Sequence, residues 1–158
     1  MKIIVASGTG EGPTAVAAFD AALLNAGVAN YNLIPLSSII PPGSIVERAT
    51  YRPPPDEYGH RLYVVMARHD ELVIGREAWA GVGWAQERES GRGLFVEVHA
   101  SDKDSVQTAI TASLTAMMAS RRRVYGPNLC EITGIQCREN PVCALVIAVY
   151  KSEAWYEI

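Results

Sequence analysis

Helical spacing occurs in only two stretches of this chain, and a long series of short apolar runs separates them. The first predicted helix covers residues 13–25, because proline is favoured in a first turn and Gly27 is typical of a helix end. The second follows residues 101–104, a Ser-Asp-Lys-Asp sequence that resembles an N-terminal capping box. The apolar face of this second helix would contain Val106, Ile110, Leu114, Met117 and Met118.

Strands account for most of the remaining apolar sequence. Runs that are rich in β-branched residues, or that alternate between apolar and polar positions, predict these strands, whereas the proline-rich residues 41–55 predict a loop. The predicted strands cover residues 2–6, 31–36, 61–67, 72–74, 78–85, 93–99 and 143–150. When residues 72–74, the shortest run, are left out, the strands and the two helices follow in the order β-α-β-β-β-β-α-β. This order is typical of an α/β or α+β sandwich, in which helices cover the faces of sheets.

Composition limits both the fold and the partners. With 158 residues, of which 49% are hydrophobic and 20% charged, the chain is expected to form a single domain, residues 1–158, around one core. Its net charge of −3 gives nucleic acid or an anionic membrane no electrostatic reason to bind. The first apolar run is far too short for a signal peptide or a membrane span, so we expect a cytoplasmic protein.

Cysteine and histidine spacing gives no indication of a metal site. Cys130, Cys137 and Cys143 match neither a zinc ribbon nor a CxxC pair, and we expect free, packed thiols. His60 and His69 lie in turn-rich sequence without a suitably spaced partner, so we expect both to be surface residues.

Three further features favour structural roles. The basic run 121–123 follows the second predicted helix, where cations complement the C-terminal end of the helix dipole, and this interpretation is favoured over a phosphate patch. Residues 8–12 contain three glycines, but the third is not at the spacing of a dinucleotide fingerprint, and the acid that follows such a fingerprint is missing. A tight turn therefore explains these glycines. Trp79 and Trp84 flank a Gly-x-Gly sequence within a predicted strand, which indicates a core or subunit contact.

An acidic residue interrupts the apolar face of the first predicted helix. Asp20 lies three residues before Leu23 and four before Leu24, so it shares their side of the helix. In one alternative, the carboxylate faces the core and is partly desolvated unless it has a partner. In the other, the apolar stripe drifts around the helix and Asp20 reaches water. The pattern alone leaves both alternatives open.

A second acid lies within the predicted strand 93–99. In the sequence LFVEVH, alternation places Phe95, Glu97 and His99 on one face of the sheet. Glu97 is buried if helices cover both faces, and exposed if this is an edge strand. Burial of a carboxyl group in general raises its pKa, and a buried acid here could deliver a proton to a substrate near neutral pH.

The sequence LIPLSSIIPPGS, residues 33–44, places two adjacent serines, Ser37 and Ser38, between an apolar strand and a Pro-Pro-Gly turn. In combination with FDAALLNAG and NYNLI at these separations, SSIIPP resembles the pyruvoyl-dependent arginine decarboxylases. The resemblance is close over residues 10–44 and weaker around Glu97. Ala29 departs from the family, which often has glycine at that position.

The resemblance implies a proenzyme, or zymogen, that cleaves itself into an N-terminal subunit, 1–37, and a second subunit, 38–158. Ser38 would attack the carbonyl group of Ser37 and be converted to a pyruvoyl group, a covalent cofactor that makes pyridoxal phosphate unnecessary. The substrate would form a Schiff base with this group and lose CO₂. The protein would then be an amino-acid carboxy-lyase that converts L-arginine to agmatine for polyamine synthesis or acid resistance.

The resemblance also implies roles for individual residues. Ser38 and Glu97 would be catalytic, with Glu97 as the proton donor, and Asn32 would hydrogen-bond the substrate or the oxyanion formed during cleavage. Asp20 would pair with the substrate guanidinium. Leu23 would line the aliphatic part of the substrate, and Ser37 would become a chain end beside the pocket. No residue after Glu97 is assigned to the site.

Family members are trimers, or pairs of trimers, of an αββα sandwich, with active sites at subunit interfaces. Two alternatives to arginine decarboxylation follow from the same residues. One is a pyruvoyl-dependent decarboxylase of another cationic amino acid, lysine or ornithine, because Asp20 favours a cationic substrate end. The other is an unprocessed, inactive homologue that serves as an oligomeric binding module, which the combined presence of Asp20, Asn32, Ser37, Ser38 and Glu97 disfavours.

Overall fold

The computed structural model describes residues 1–156 as two stacked β-sheets, each with one helix on its outer face. The strands are β1 (Lys2–Glu11), β2 (Asn32–Pro35), β3 (Ile39–Ile40), β4 (Ile45–Arg48), β5 (Arg61–Glu71), β6 (Glu77–Gln86), β7 (Gly93–Ala100), β8 (Leu129–Gln136) and β9 (Val142–Glu153), and the helices are α1 (Ala15–Ala26) and α2 (Lys103–Ala119). Sheet A has the strand order β2-β5-β9-β1-β4, and sheet B has the order β3-β7-β6-β8. This αββα arrangement confirms the predicted sandwich.

Three apolar layers hold the sandwich together. The layer between the sheets contains Trp84 and Phe95, whose rings meet edge to face with their centroids 6.2 Å apart. Helix α1 covers the outer face of sheet A, and α2 covers the outer face of sheet B. Trp79 packs in the α2 layer, so the expectation of a core role is confirmed for both tryptophans.

Helix α1 begins and ends close to the predicted residues. The Thr14 side chain accepts a hydrogen bond from the backbone N–H of Ala17, and Gly27 ends the helix with a left-handed φ of 85°. The predicted loop after residue 6 is wrong, because β1 continues to Glu11. Gly8 and Gly10 let the helix lie directly on this strand, since a Cβ atom at either position would overlap the α1 backbone.

Several other boundaries differ from the expectations. Residues 72–74 form an exposed turn and not a strand, because the Glu71 carboxylate accepts the backbone N–H groups of Leu72 and Val73 at 2.9 and 2.8 Å. β8 was not predicted, and neither was β4, which lies inside the expected loop and pairs in parallel with β1. The two-residue β3 was also missed, and all three missed strands lie at sheet edges, where the apolar pattern is weakest.

The second helix and the basic run are close to expectation. The N-cap is Asp102, whose carboxylate accepts the backbone N–H of Ser105 at 2.8 Å, one residue later than the capping box predicted. The Arg121 guanidinium donates to the carbonyl of Met117 at 3.0 Å, which confirms the helix-terminal role for this arginine. All three cysteines are free thiols, as expected.

Candidate active site

The chain crosses from sheet A to sheet B at the paired serines. On one side of the crossing, the backbone N–H of Leu36 donates to the carbonyl of Val64 in β5 at 2.8 Å. On the other side, the N–H of Phe95 in β7 donates to the Ser38 carbonyl at 2.9 Å. The bond between Ser37 and Ser38 therefore lies between two segments that different sheets hold in place.

Ser38 has an unusual backbone conformation and a charged partner. Its φ of 65° is left-handed, which costs an ordinary residue roughly 1–2 kcal/mol. Its hydroxyl donates to the Glu97 carboxylate, with Oγ 2.5 Å from Oε1. A hydroxyl bound to a carboxylate forms one of the stronger hydrogen bonds in proteins, so the side chain has a defined direction.

Glu97 lies on the predicted face of β7 but is not buried in a single protomer. Phe95 on the same face is fully buried, whereas Glu97 is exposed. Of the two alternatives for Glu97, a buried or an exposed acid, a single protomer therefore shows the exposed one. The reason is the length of β3, which pairs only with Gly93 and Leu94. Within residues 1–156, the edge of β7 beyond Phe95 has no strand partner on this side.

Tyr150 is a third side chain at this site, and the sequence did not single it out. Its hydroxyl donates to the carbonyl of Ile39 at 2.8 Å, directly after Ser38 in the chain. Its ring meets the Phe95 ring edge to face with the centroids 6.0 Å apart. Burial, and then the nearby charge of Glu97, raise the pKa of Tyr150 above its usual range. A tyrosine within an apolar strand needs a partner for its hydroxyl, and this was the one available signal.

His69 is half-buried and not the surface residue that the sequence predicted. Its ring contacts that of His99 edge to face, with the centroids 5.3 Å apart. The two histidines come from β5 and β7, and both lie beyond the residues at which β2 pairs with β5 and β3 pairs with β7. Together with Glu97, they give the open side of the sandwich a polar lining.

Asp20 and Leu23 lie on α1, on the opposite face of sheet A from the layer that contains Phe95. Leu23 is buried against the sheet, and Asp20 is exposed. This is the alternative in which the apolar stripe drifts around the helix and Asp20 reaches water. One protomer therefore does not bring these two residues together with Ser38 and Glu97.

Asn32 begins β2 and lies away from the serines. Its amide donates to the carbonyl of Gly59 at 2.8 Å. The extended chain from Asn32 to Leu36, which includes β2, advances about 13 Å at ~3.3 Å per residue, and this separates the Asn32 amide from Ser38 within one chain. Ser37 is exposed at the crossing itself.

A cavity beside this segment does not contain the serine–carboxylate pair. It has a volume of about 420 Å³ and is lined by Ile39, Leu94, Arg92, Arg123 and Tyr125, among others. Leu94 packs in the α2 layer, so this cavity opens on the outer face of sheet B. The chemistry of Ser38 and Glu97 belongs instead to the open edge between the sheets.

The fold and site define a class of αββα sandwich proteins with a strained serine, bound to a carboxylate, where the chain crosses between the sheets. A family model described as pyruvoyl-dependent arginine decarboxylase matches residues 2–154. The chain belongs to this family, which confirms the resemblance seen in the sequence.

Curated relatives from archaea carry the same name. A pyruvoyl-dependent arginine decarboxylase of Halobacterium salinarum is 42% identical over 123 residues, which cover 76% of this chain and 74% of the relative. One from Methanopyrus kandleri is 32% identical over 140 residues, covering 89% and 86% of the two chains. A third, from Thermoplasma volcanium, is 31% identical over 124 residues, covering 75% and 66%. No helix within residues 1–156 is long and apolar enough to cross a membrane.

Proposed function

We propose that the chain cleaves itself between Ser37 and Ser38 and then decarboxylates L-arginine to agmatine and CO₂. The observation that carries this proposal is the 2.5 Å hydrogen bond between the Ser38 hydroxyl and Glu97, at a serine with left-handed backbone. Membership of the family supports the reaction and the substrate, because the relatives are named for both. The products of cleavage are fragments 1–37 and 38–158.

Cleavage begins with the Ser38 hydroxyl. Its oxygen attacks the carbonyl carbon of Ser37, so that a new ester bond forms and the peptide C–N bond breaks. The Glu97 carboxylate, already bound to the hydroxyl, orients it for attack, and the hydroxyl proton goes to the freed nitrogen of Ser38. Opening the peptide bond also releases the backbone strain at Ser38, which favours the forward direction.

The ester then breaks by elimination. Loss of the Ser38 α-proton and of the Cβ–O bond frees the carboxylate of Ser37 and leaves a carbon–carbon double bond at residue 38. Addition of water and departure of ammonia convert residue 38 to a pyruvoyl group. No external oxidant or reductant is consumed in this sequence.

A pyruvoyl group fits the surroundings that hold Ser38. The group retains the carbonyl of residue 38, which accepts the N–H of Phe95 at 2.9 Å, and it lacks the hydroxyl, so it occupies less space than the serine. Once formed, it supplies a ketone that binds the substrate amine and withdraws electrons as CO₂ leaves, without pyridoxal phosphate. The Phe95 N–H is placed to stabilise negative charge on the adjacent carbonyl oxygen.

Glu97 has a second role after cleavage. Removal of the Ser38 hydroxyl takes away its hydrogen-bond partner and leaves the carboxyl group next to residue 38. It can then deliver a proton to the carbon that has lost CO₂. Because Glu97 is exposed in one protomer, this role requires a cover that excludes water.

A second copy of the chain would supply that cover and the substrate contacts. Asp20 and Asn32 are exposed, and neither lies beside Ser38 of its own chain. In a homotrimer, or a pair of trimers, a neighbouring protomer would place Asp20 against the substrate guanidinium, with Leu23 along its aliphatic part and Asn32 near the reacting atoms. A carboxylate and a guanidinium form two parallel hydrogen bonds, which suits Asp20 to arginine.

Intact-mass measurement tests the first part of the proposal. Purified protein should contain a 1–37 fragment with an ordinary carboxyl end and a 38–158 fragment that begins with a pyruvoyl group. A single uncut chain, or a second fragment that begins with serine, would contradict self-processing. Agmatine release from arginine, measured beside lysine and ornithine at equal concentration, tests the substrate.

Mixed oligomers test the shared site. Ser38→Ala protomers are expected to be inactive alone, whereas Asp20→Asn protomers are expected to cleave but to turn over little arginine at concentrations near the wild-type KM. Assembled together, they should recover part of the activity, because an intact Ser38 in one protomer meets an intact Asp20 in its neighbour. Absence of recovery in verified mixed oligomers would place both residues in one chain's site.

A further inference from the structure

Tyr150 connects the segment that carries Ser38 to the opposite sheet. The tyrosine belongs to β9 of sheet A, whereas Ile39, whose carbonyl it binds at 2.8 Å, belongs to β3 of sheet B. β3 has two residues and one strand partner, β7. The tyrosine hydroxyl therefore gives this short strand an attachment to the second sheet, directly after the cleavage site.

We infer that Tyr150 is a positioning residue that keeps residue 38 in reactive geometry, before cleavage and during turnover. This inference rests on the proposed function. Ser38 is held by its side chain through Glu97 and by its carbonyl through Phe95, and the next carbonyl is held by Tyr150. A left-handed serine relaxes unless the neighbouring peptides are fixed. The Phe95 N–H fixes the peptide group between Ser38 and Ile39, and the hydroxyl of Tyr150 fixes the next one, between Ile39 and Ile40.

The packing of Tyr150 supports a positioning role. Only 9% of the residue is exposed, and its ring lies against Phe95, the residue that binds the Ser38 carbonyl. The same tyrosine thus supports both hydrogen bonds that hold the backbone of residues 38 and 39. Its hydroxyl donates to the Ile39 carbonyl, which suits a positioning role better than proton transfer to the product.

The attachment matters more once the chain is cut. Before cleavage, residue 38 is also held through its covalent bond to Ser37 and the strand before it. Afterwards it is a chain end, and the bonds from Phe95, Tyr150 and β7 are what keep it in place. Loss of the tyrosine hydroxyl should therefore affect turnover as well as cleavage, with little effect on arginine binding.

The test compares Tyr150→Phe with Tyr63→Phe. Tyr63 is a matched control, because it also packs against the layer between the sheets and its hydroxyl donates to Glu153 at 3.4 Å. Cleavage of freshly translated protein is followed on gels, and kcat and KM for arginine are measured on fully cleaved protein. Thermal unfolding is recorded for both variants.

For Tyr150→Phe, we expect cleavage to slow about five- to tenfold and kcat to fall by a similar factor, the size of one lost hydrogen bond, with KM unchanged. Tyr63→Phe should stay within twofold of the wild type in both rates. Wild-type-like cleavage and kcat in Tyr150→Phe, or a change confined to KM or thermal stability, would overturn the inference. If the wild-type chain does not cleave, the proposed function itself fails, which the same gels show separately.

Discussion

The two faces of sheet A differ in what a single chain can complete. On the face toward sheet B, Ser38 and Glu97 are already in contact within one protomer. On the α1 face, Asp20 is exposed and has no access to Ser38 of its own chain. Under the proposed function, the cofactor is therefore made by one chain, whereas arginine is recognised by two.

Removing the nucleophile should have the largest effect. Ser38→Ala eliminates both the attacking hydroxyl and the precursor of the pyruvoyl group, so neither cleavage nor agmatine production is expected. Mass spectrometry and a CO₂-release assay measure the two outcomes, with Ser44→Ala as a control at a serine outside the crossing. Any residual cleavage at residue 37 would show that another group attacks this bond.

Glu97→Gln should separate the two reactions on the inner face. The glutamine oxygen can still accept the Ser38 hydroxyl, so we expect cleavage to proceed, while turnover falls about 10²- to 10⁴-fold for loss of a general acid. Borohydride trapping of bound substrate, beside a turnover assay, distinguishes the steps. Glu131→Gln in β8 serves as the control. Turnover within a few-fold of the wild type would assign the proton to another group or to water.

Asp20→Asn tests the α1 face. Loss of a desolvated carboxylate opposite a guanidinium costs about 2–5 kcal/mol, which would appear mainly as a higher KM for arginine. Cleavage should be unaffected, because it uses only the inner face, and Asp56→Asn provides an exposed control. Unchanged arginine kinetics would leave Asp20 as an ordinary solvated acid.

Thiol labelling provides the smallest and most local test. Cys143 lies under α1 and Cys137 lies between the sheets, and both are fully buried. Burial, with the neighbouring Asp70, raises the pKa of Cys143 to about 12, so this thiol stays protonated at any ordinary pH. In native protein at pH 8, a disulfide reagent should label only Cys130, and in denaturant all three cysteines. Rapid labelling of Cys143 would show that α1 separates readily from sheet A.

Local sequence patterns predicted the first helix and the face of β7 that carries Glu97 better than they predicted the edges of the sheets. The serine pair, Glu97 on the inner face and the limits of α1 all depend on local patterns that the structure retains. The exposure of Glu97 could not be predicted, because it depends on β3 ending after two residues, which is a property of strand pairing. Tyr150 was missed because its role comes from a contact 111 residues away in the chain.

The position of β1 would have a consequence for the protein after the proposed cleavage. This strand lies between β9 and β4 inside sheet A and pairs with β9 from Ile4 to Glu11. The short fragment 1–37 therefore supplies an internal strand to a sheet whose neighbouring strands belong to the larger fragment. It should stay bound after the cut, but once denatured it would have to find and re-enter the middle of another chain's sheet. Under the proposed cleavage, we therefore expect the uncut precursor to fold more efficiently than the two fragments, and the mature protein to depend on slow unfolding for its lifetime.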